Sequence, residues 1–321
     1  MFEKYKEWKK ERGEVSLQGR SVRRAVEIVN HLPGIGHMSQ NGELRKKLDE
    51  LSKPWEAPEG LTLEVVDLSE SRLEILYDEI NDDKRVILQL HGGGYYGGLH
   101  NTYRDMAALY HQLAVKTAVV TLDYRLAPEN PFPAALLDAS EAYEWLLDQG
   151  IEAENIVVVG DSAGGGLSLA LILYLKDHNR PLPAGVLTMS AWTDLTLSGE
   201  SYEENYNDDP VFGGSRDTLV YKTGYVGEND PKNPYISPLY GDYTGFCPML
   251  MQVGEQEMLL SDTLAVSKKA KAAGVKVREH TYKGMFHDFQ MGLLRYPESR
   301  KAWEEAAAFL RKVLPVKKEQ D

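Results

Sequence analysis

A serine flanked by glycines, Gly160-Asp161-Ser162-Ala163-Gly164, offers an alcohol that can attack as a nucleophile. A continuous apolar run, residues 156–159, enters this pentapeptide, and an apolar helical stretch from Leu167 leaves it. A sharp strand-to-helix turn of this kind holds the serine in strained backbone geometry above a sheet, with glycine on either side because a Cβ there would collide. The amides that follow lie at a helix N-terminus, whose partial positive charge favours a developing anion. The competing reading is a glycine-rich turn that merely packs a helix against a strand; the strand before it and the helix after it favour the nucleophile.

A second glycine cluster, His91-Gly92-Gly93-Gly94-Tyr95-Tyr96-Gly97-Gly98, follows an apolar run ending at Leu90. Amides without side chains can approach an oxyanion closely, and two of them with the amide of Ala163 make a three-donor hole, each donor worth about 10² to 10³ in rate. Gly92, Gly94 and Gly97 also satisfy G-x-G-x-x-G, and Asp123 closes the next strand as a ribose-binding acid would. Against dinucleotide binding, Asp123 lies about 31 residues past Gly92 rather than roughly 20, and Tyr95 and Tyr96 would crowd a pyrophosphate.

A serine hydroxyl needs a base, and the base needs a carboxylate to orient it. Of the eight histidines, His287 is best placed, in Lys283-Gly284-Met285-Phe286-His287-Asp288-Phe289 after the last strand pattern. The acid belongs in the loop after the preceding strand, where Glu255, Glu257 and Asp262 compete. Asp262 reads more simply as an early residue of the next helix, complementing its dipole, and Glu255 as a solvated loop charge. Glu257 is the assignment, with the other two left open. The order serine, acid, histidine then holds. A serine at 162 argues against relatives of such enzymes that attack with a carboxylate.

The elements that must position these groups follow from hydrophobic periodicity. Strand patterns cover residues 61–68, 72–77, 84–90, 117–122, 156–159, 185–189, 248–253 and 275–282, and helical patterns 101–115, 134–148, 164–177, 261–273 and 298–313. Such alternation predicts an α/β fold with a mostly parallel sheet flanked by helices. Residues 1–55 are charge-rich, with Val22, Ala25, Val26 and Val29 at helical spacing and a Pro33-Gly34-Ile35-Gly36 turn, which predicts two or three short helices outside the main core. Between about 195 and 245 the rhythm lapses into Gly, Pro, Asn, Asp and Tyr, as an insertion over the C-terminal edge of the sheet would.

Composition sets the outer limits. The chain has 321 residues, 42% of them apolar, enough to bury a sizeable core. Its 36 Lys and Arg against 49 Asp and Glu leave a formal charge of −13, which disfavours nucleic-acid and anionic-membrane partners. The single Cys247 rules out an internal disulfide, and no Cys/His framework suggests a metal. Charges throughout residues 1–10 interrupt any export signal, and no apolar run approaches the roughly 20 residues of a bilayer span. The expectation is a cytoplasmic, soluble protein.

Together these motifs resemble the hormone-sensitive-lipase-like family of α/β-hydrolases, in its bacterial esterase branch carrying G-D-S-A-G. The similarity runs over residues 86–289: the H-G-G-G tract at 91–94, Asp123-Tyr124-Arg125-Leu126-Ala127-Pro128-Glu129, the serine pentapeptide, Pro234-Tyr235-Ile236-Ser237-Pro238-Leu239, and residues 284–287. The resemblance implies hydrolysis of short- to medium-chain carboxylic esters through an acyl-enzyme, without metal or organic cofactor. Ser162 would be the nucleophile, His287 the general base and acid, and Gly93, Gly94 and Ala163 the oxyanion donors, with residues 123–129 a buried support. Residues 1–55 and an insertion at about 195–230 would form a helical cap on a catalytic domain spanning 56–321. Tyr95, Tyr202 and Tyr206 are candidates to line the substrate pocket. Many relatives carry aspartate where Glu257 stands. The alternatives are an amidase or peptidase of the same fold, or a non-catalytic ligand-binding relative. A homodimer through a sheet edge is a further expectation from the resemblance.

Overall fold

Strands rich in Val, Ile and Leu need both faces covered, and this chain covers them with helices. The structure is a computed structural model that describes residues 15–30, 38, 41–79, 84–221 and 223–316. Eight strands form one sheet: β1 (Thr62–Asp67), β2 (Arg72–Tyr77), β3 (Val86–Leu90), β4 (Ala118–Asp123), β5 (Ile156–Asp161), β6 (Gly185–Met189), β7 (Met249–Gly254) and β8 (Val277–Tyr282), in spatial order β1-β2-β4-β3-β5-β6-β7-β8. β2 runs antiparallel to β1 and β4, and every other pairing is parallel. Each strand pattern read from the sequence corresponds to one of these strands, with ends differing by a residue or two.

The helices are α1 (Leu17–Asn30), α2 (Glu43–Leu51), α3 (Asn101–Leu113), α4 (Ala134–Asp148), α5 (Ser162–Asp177), the short α6 (Ser201–Glu204), α7 (Leu260–Ala272) and α8 (Pro297–Val313). Leu88, Val120, Val158 and Val186 point to the face packed by α4, α5 and α7, whereas Ile87, Val119, Val157 and Leu187 point to the face packed by α3 and α8. Every residue of β3, β5, β6 and β7 is buried. Each such Leu, Ile or Val contributes about 1.5–3 kcal/mol, so these strands are a rigid platform for the loops at their ends.

Val22 and Val26 of α1 pack against the buried cluster formed by Tyr282, Met285, Phe286, Phe289, Tyr296 and Ala302, and Val29 faces solvent. The helix start is fixed by Ser16, whose amide and hydroxyl both donate to the Glu298 carboxylate at 2.6 and 2.8 Å. The Pro33 to Gly36 turn and residues 1–14 lie outside the described residues. Parallel register brings the ends of β3, β5, β6, β7 and β8 to one edge: Leu90 lies opposite Gly160, Asp161 opposite Met189, and Gly254 opposite Tyr282. Strand order reverses about β3, which β4 and β5 flank on opposite sides. Such a switch point opens a crevice at the carboxyl ends. No described helix is long and apolar enough to cross a membrane.

Candidate active site

β5 ends at Asp161 and α5 begins at Ser162, without a linking residue. The helix therefore starts two residues earlier than its apolar pattern suggests. The turn puts Ser162 at φ +49°, a left-handed backbone that L-residues adopt only when surroundings enforce it. A Cβ on Gly160 would run into the carbonyl of Gly164, and one on Gly164 into the carbonyls of Leu90 and His91. Because those obstacles are backbone, Gly164→Ala is expected to lower stability by about 1–3 kcal/mol or more, read as a shifted urea midpoint.

The Ser162 hydroxyl lies 2.9 Å from His287 Nε2, and His287 Nδ1 lies 3.1 Å from Glu257 Oε2. An ionised carboxylate only accepts, so Nδ1 keeps its hydrogen and donates it in a hydrogen bond to Glu257, which leaves the Nε2 lone pair free to receive the serine hydrogen. Glu257 is fully buried; its Oε1 accepts from the Ser190 hydroxyl at 2.7 Å and from the amide of Gly254. Burial pushes Glu257 above the usual carboxylate range, opposed by its hydrogen bonds from His287, Gly254 and Ser190. Burial also works against a charged His287, but the carboxylates of Asp288 and Glu257 outweigh it and hold the imidazole well above its ordinary value.

The other two acid candidates sit elsewhere. Asp262 Oδ2 accepts the amides of Thr193 and Asp194, both at 2.7 Å, and burial pushes its carboxyl up to about 8. Glu255 accepts the amide of Gly284 at 2.9 Å from an exposed position. Neither touches His287.

Gly93 and Gly94, at φ +102° and +64°, line the cavity that opens onto Ser162, while Ala163 lies behind it in the first turn of α5. First-turn amides have no acceptor within their own helix. The Gly93 carbonyl accepts from Tyr96 and Gly97, closing the turn. Asp161, given no role by the sequence reading, is buried and accepts the Gly92 amide at 3.2 Å and the Tyr103 hydroxyl at 3.1 Å, so the residue before Ser162 grips the glycine turn. Burial and the neighbouring Asp288 push its carboxyl well above the usual range. Tyr124 stacks on His91 with centroids 4.2 Å apart and donates to the His91 carbonyl at 2.7 Å, whereas Glu129 at the far end of that stretch faces outward toward Arg45. Burial pushes His91 down to about 4, keeping it neutral. Asp123 lines a different, polar cleft, away from the glycine turn.

The cavity over Ser162 holds about 290 Å³, and its walls are mainly apolar: Tyr96, Trp192, Val211, Phe212, Leu219 and Val220. Four of these six come from the segment after Trp192, which thus covers the C-terminal edge of the sheet. The three tyrosines expected here do not line it. Tyr95 is buried with its ring stacked on Tyr225 at 3.5 Å; Tyr202 is buried with its hydroxyl on the Asp194 carbonyl at 3.2 Å; Tyr206 lies under the Arg216 guanidinium at 5.1 Å. The reason lies in backbone direction: Tyr95, at φ +67°, turns into the core, and Tyr96 and Tyr103 take the cavity wall instead.

Residues 87–291 match the family model described as the alpha/beta hydrolase fold. An acetyl-hydrolase of Streptomyces hygroscopicus is 35% identical over 289 residues, covering 89% of this chain and 96% of the relative. An esterase of Acinetobacter venetianus is 35% identical over 268 residues, covering 83% and 87%. Among solved structures, an esterase from the bacterial hormone-sensitive lipase family superposes with a TM-score of 0.83 at 34% identity, over 94% of this chain and 99% of that one. EstE5 soaked with p-nitrophenyl butyrate superposes with a TM-score of 0.83 at 32% identity, over 94% and 100%. Sequence, fold and the serine turn thus agree, and the chain belongs to the α/β-hydrolase family, in its hormone-sensitive-lipase-like branch.

Proposed function

We propose that the protein is a serine carboxylesterase acting on short- to medium-chain esters, with Ser162, His287 and Glu257 as its triad. The observation that carries this reading is the line from the Ser162 hydroxyl to His287 Nε2 at 2.9 Å and from Nδ1 to the buried Glu257 at 3.1 Å. In acylation, His287 takes the hydroxyl proton as Ser162 Oγ bonds to the ester carbonyl, and the amides of Gly93, Gly94 and Ala163 receive the negative oxygen. His287 then gives that proton to the departing alcohol. Water enters, is deprotonated by the same nitrogen, and releases the acid with Ser162 restored.

The relatives named as esterases and acetyl-hydrolases support the reaction class. An apolar cavity of about 290 Å³ lies at the small end of ligand sites and suits a short acyl chain. Purified protein is expected to hydrolyse p-nitrophenyl acetate and butyrate with much higher kcat/KM than the palmitate. A fluorophosphonate probe should label it, and Ser162→Ala should abolish labelling. Absence of both turnover and labelling would leave a ligand-binding relative as the better description. Phe212 faces the cavity with its ring 4.7 Å from that of His287. Phe212→Ala should move the preferred chain length upward, by about tenfold or more per added methylene accommodated, measured as kcat/KM across an acyl series.

A further inference from the structure

His287 has a second carboxylate neighbour, on the nitrogen that serves the serine. Asp288 Oδ2 lies 3.2 Å from Nε2, so this nitrogen faces both Ser162 Oγ and a carboxylate oxygen. The placement is enforced. Asp288 stands at φ +52° and ψ +34°, and its amide donates to the Ser190 hydroxyl at 3.1 Å. That hydroxyl donates in turn to Glu257 Oε1. One serine side chain thus ties the loop carrying Asp288 to the carboxylate at the opposite edge of the ring. Asp288 lines the cavity, and its Oδ1 is buried with no partner among the described residues.

A neutral imidazole presents a lone pair at Nε2, which a carboxylate oxygen at this distance repels. Once Nε2 is protonated the same contact becomes a charge-assisted hydrogen bond. We propose that Asp288 is a positioning residue for the esterase reaction, a second carboxylate that stabilises the protonated ring from the Nε2 side and competes with Ser162 for that hydrogen. The proposal rests on the esterase reading above.

The other groups around the ring do not take this part. Glu257, from the loop after β7, meets Nδ1. Asp161 at the end of β5 and Asp209 from the covering segment are both pushed up by burial, and each is already engaged, Asp161 with Gly92 and Tyr103, Asp209 with the amides of Val211, Phe212 and Met258. Arg45 and His100 also line the cavity, and Arg45 is held by the Tyr96 carbonyl and Glu129.

The sign follows from the base being active only when neutral. Activity is present above the pH at which the ring titrates and is lost as pH falls through it. A carboxylate on Nε2 raises that pH, so removing it must move the acid limb of kcat/KM toward lower pH. Asp288→Asn keeps the shape, and asparagine tolerates the left-handed backbone. The acid limb for p-nitrophenyl butyrate should shift acidward by about one pH unit, with about tenfold more of the high-pH rate retained well below the wild-type limb. The His287 ring, identified in NMR spectra by its loss in His287→Gln, should titrate lower by the same amount. A purely structural role would lower the rate at every pH and leave limb and ring titration in place, and that result overturns the proposal. A wild type inactive on esters would end the esterase reading, while the ring titration would still decide the Asp288 contact.

Discussion

Ser162→Ala is expected to lower kcat on p-nitrophenyl butyrate by about 10⁶ while the protein keeps its fold. The substitution removes one oxygen at the end of β5 and leaves the turn, the glycine contacts and the His287–Glu257 pair intact. The size of the effect follows from the triad acting as a unit. Without Oγ no acyl-enzyme forms, and His287 has nothing at 2.9 Å to activate. What remains is the pocket and the amide donors, good for about 10³ to 10⁴ over water. His287→Ala should cost nearly as much, and the double variant scarcely more, because the second removal deletes a part already idle. Rates are compared under substrate saturation, with the thermal midpoint checked for each variant. A Ser162→Ala protein within about tenfold of wild type would remove Ser162 from the chemistry.

What the sequence revealed and what it hid divide along a physical line. Strand and helix patterns are local, and a five-residue run such as Val86–Leu90, buried at every position, announces a strand covered on both faces. Ser162, Glu257 and His287 were legible because each sits just beyond a strand end, and parallel strands bring their ends to one edge. Asp161, Ser190 and Asp288 stand beside these three in the chain or in the loops and carried no period. Their contribution depends on side-chain direction, set by Ser190 at φ +50° and Asp288 at φ +52°, which no spacing rule reveals. The tyrosines fail for the same reason. Tyr95 and Tyr96 are neighbours of one type, yet one ring stacks on Tyr225 and the other walls the cavity. Cavity walls drawn from Val211, Phe212, Leu219 and Val220 come from an irregular segment whose path tertiary contacts decide.

Glu257→Gln should separate the acid from its competitors, with kcat falling by about 10⁴. The argument turns on the atoms around Oε1. That oxygen accepts from the Ser190 hydroxyl and the Gly254 amide, both donors. A glutamine side chain must keep its carbonyl oxygen there, because turning the amide around would set NH₂ against the backbone N–H of Gly254. Its NH₂ group then faces His287 Nδ1, which becomes an acceptor, and the ring proton moves to Nε2. That tautomer cannot take the serine proton. Asp262→Asn offers the contrast. Burial pushes the Asp262 carboxyl up to about 8, and an amide can present its carbonyl oxygen to the Thr193 and Asp194 amides as Oδ2 does now. Its kcat should stay within a few-fold of wild type, as should that of Glu255→Gln, whose carboxylate meets only the Gly284 amide among the described contacts. Equal losses in Glu257→Gln and Asp262→Asn would mean that the ring is oriented by something other than the carboxylate 3.1 Å from Nδ1.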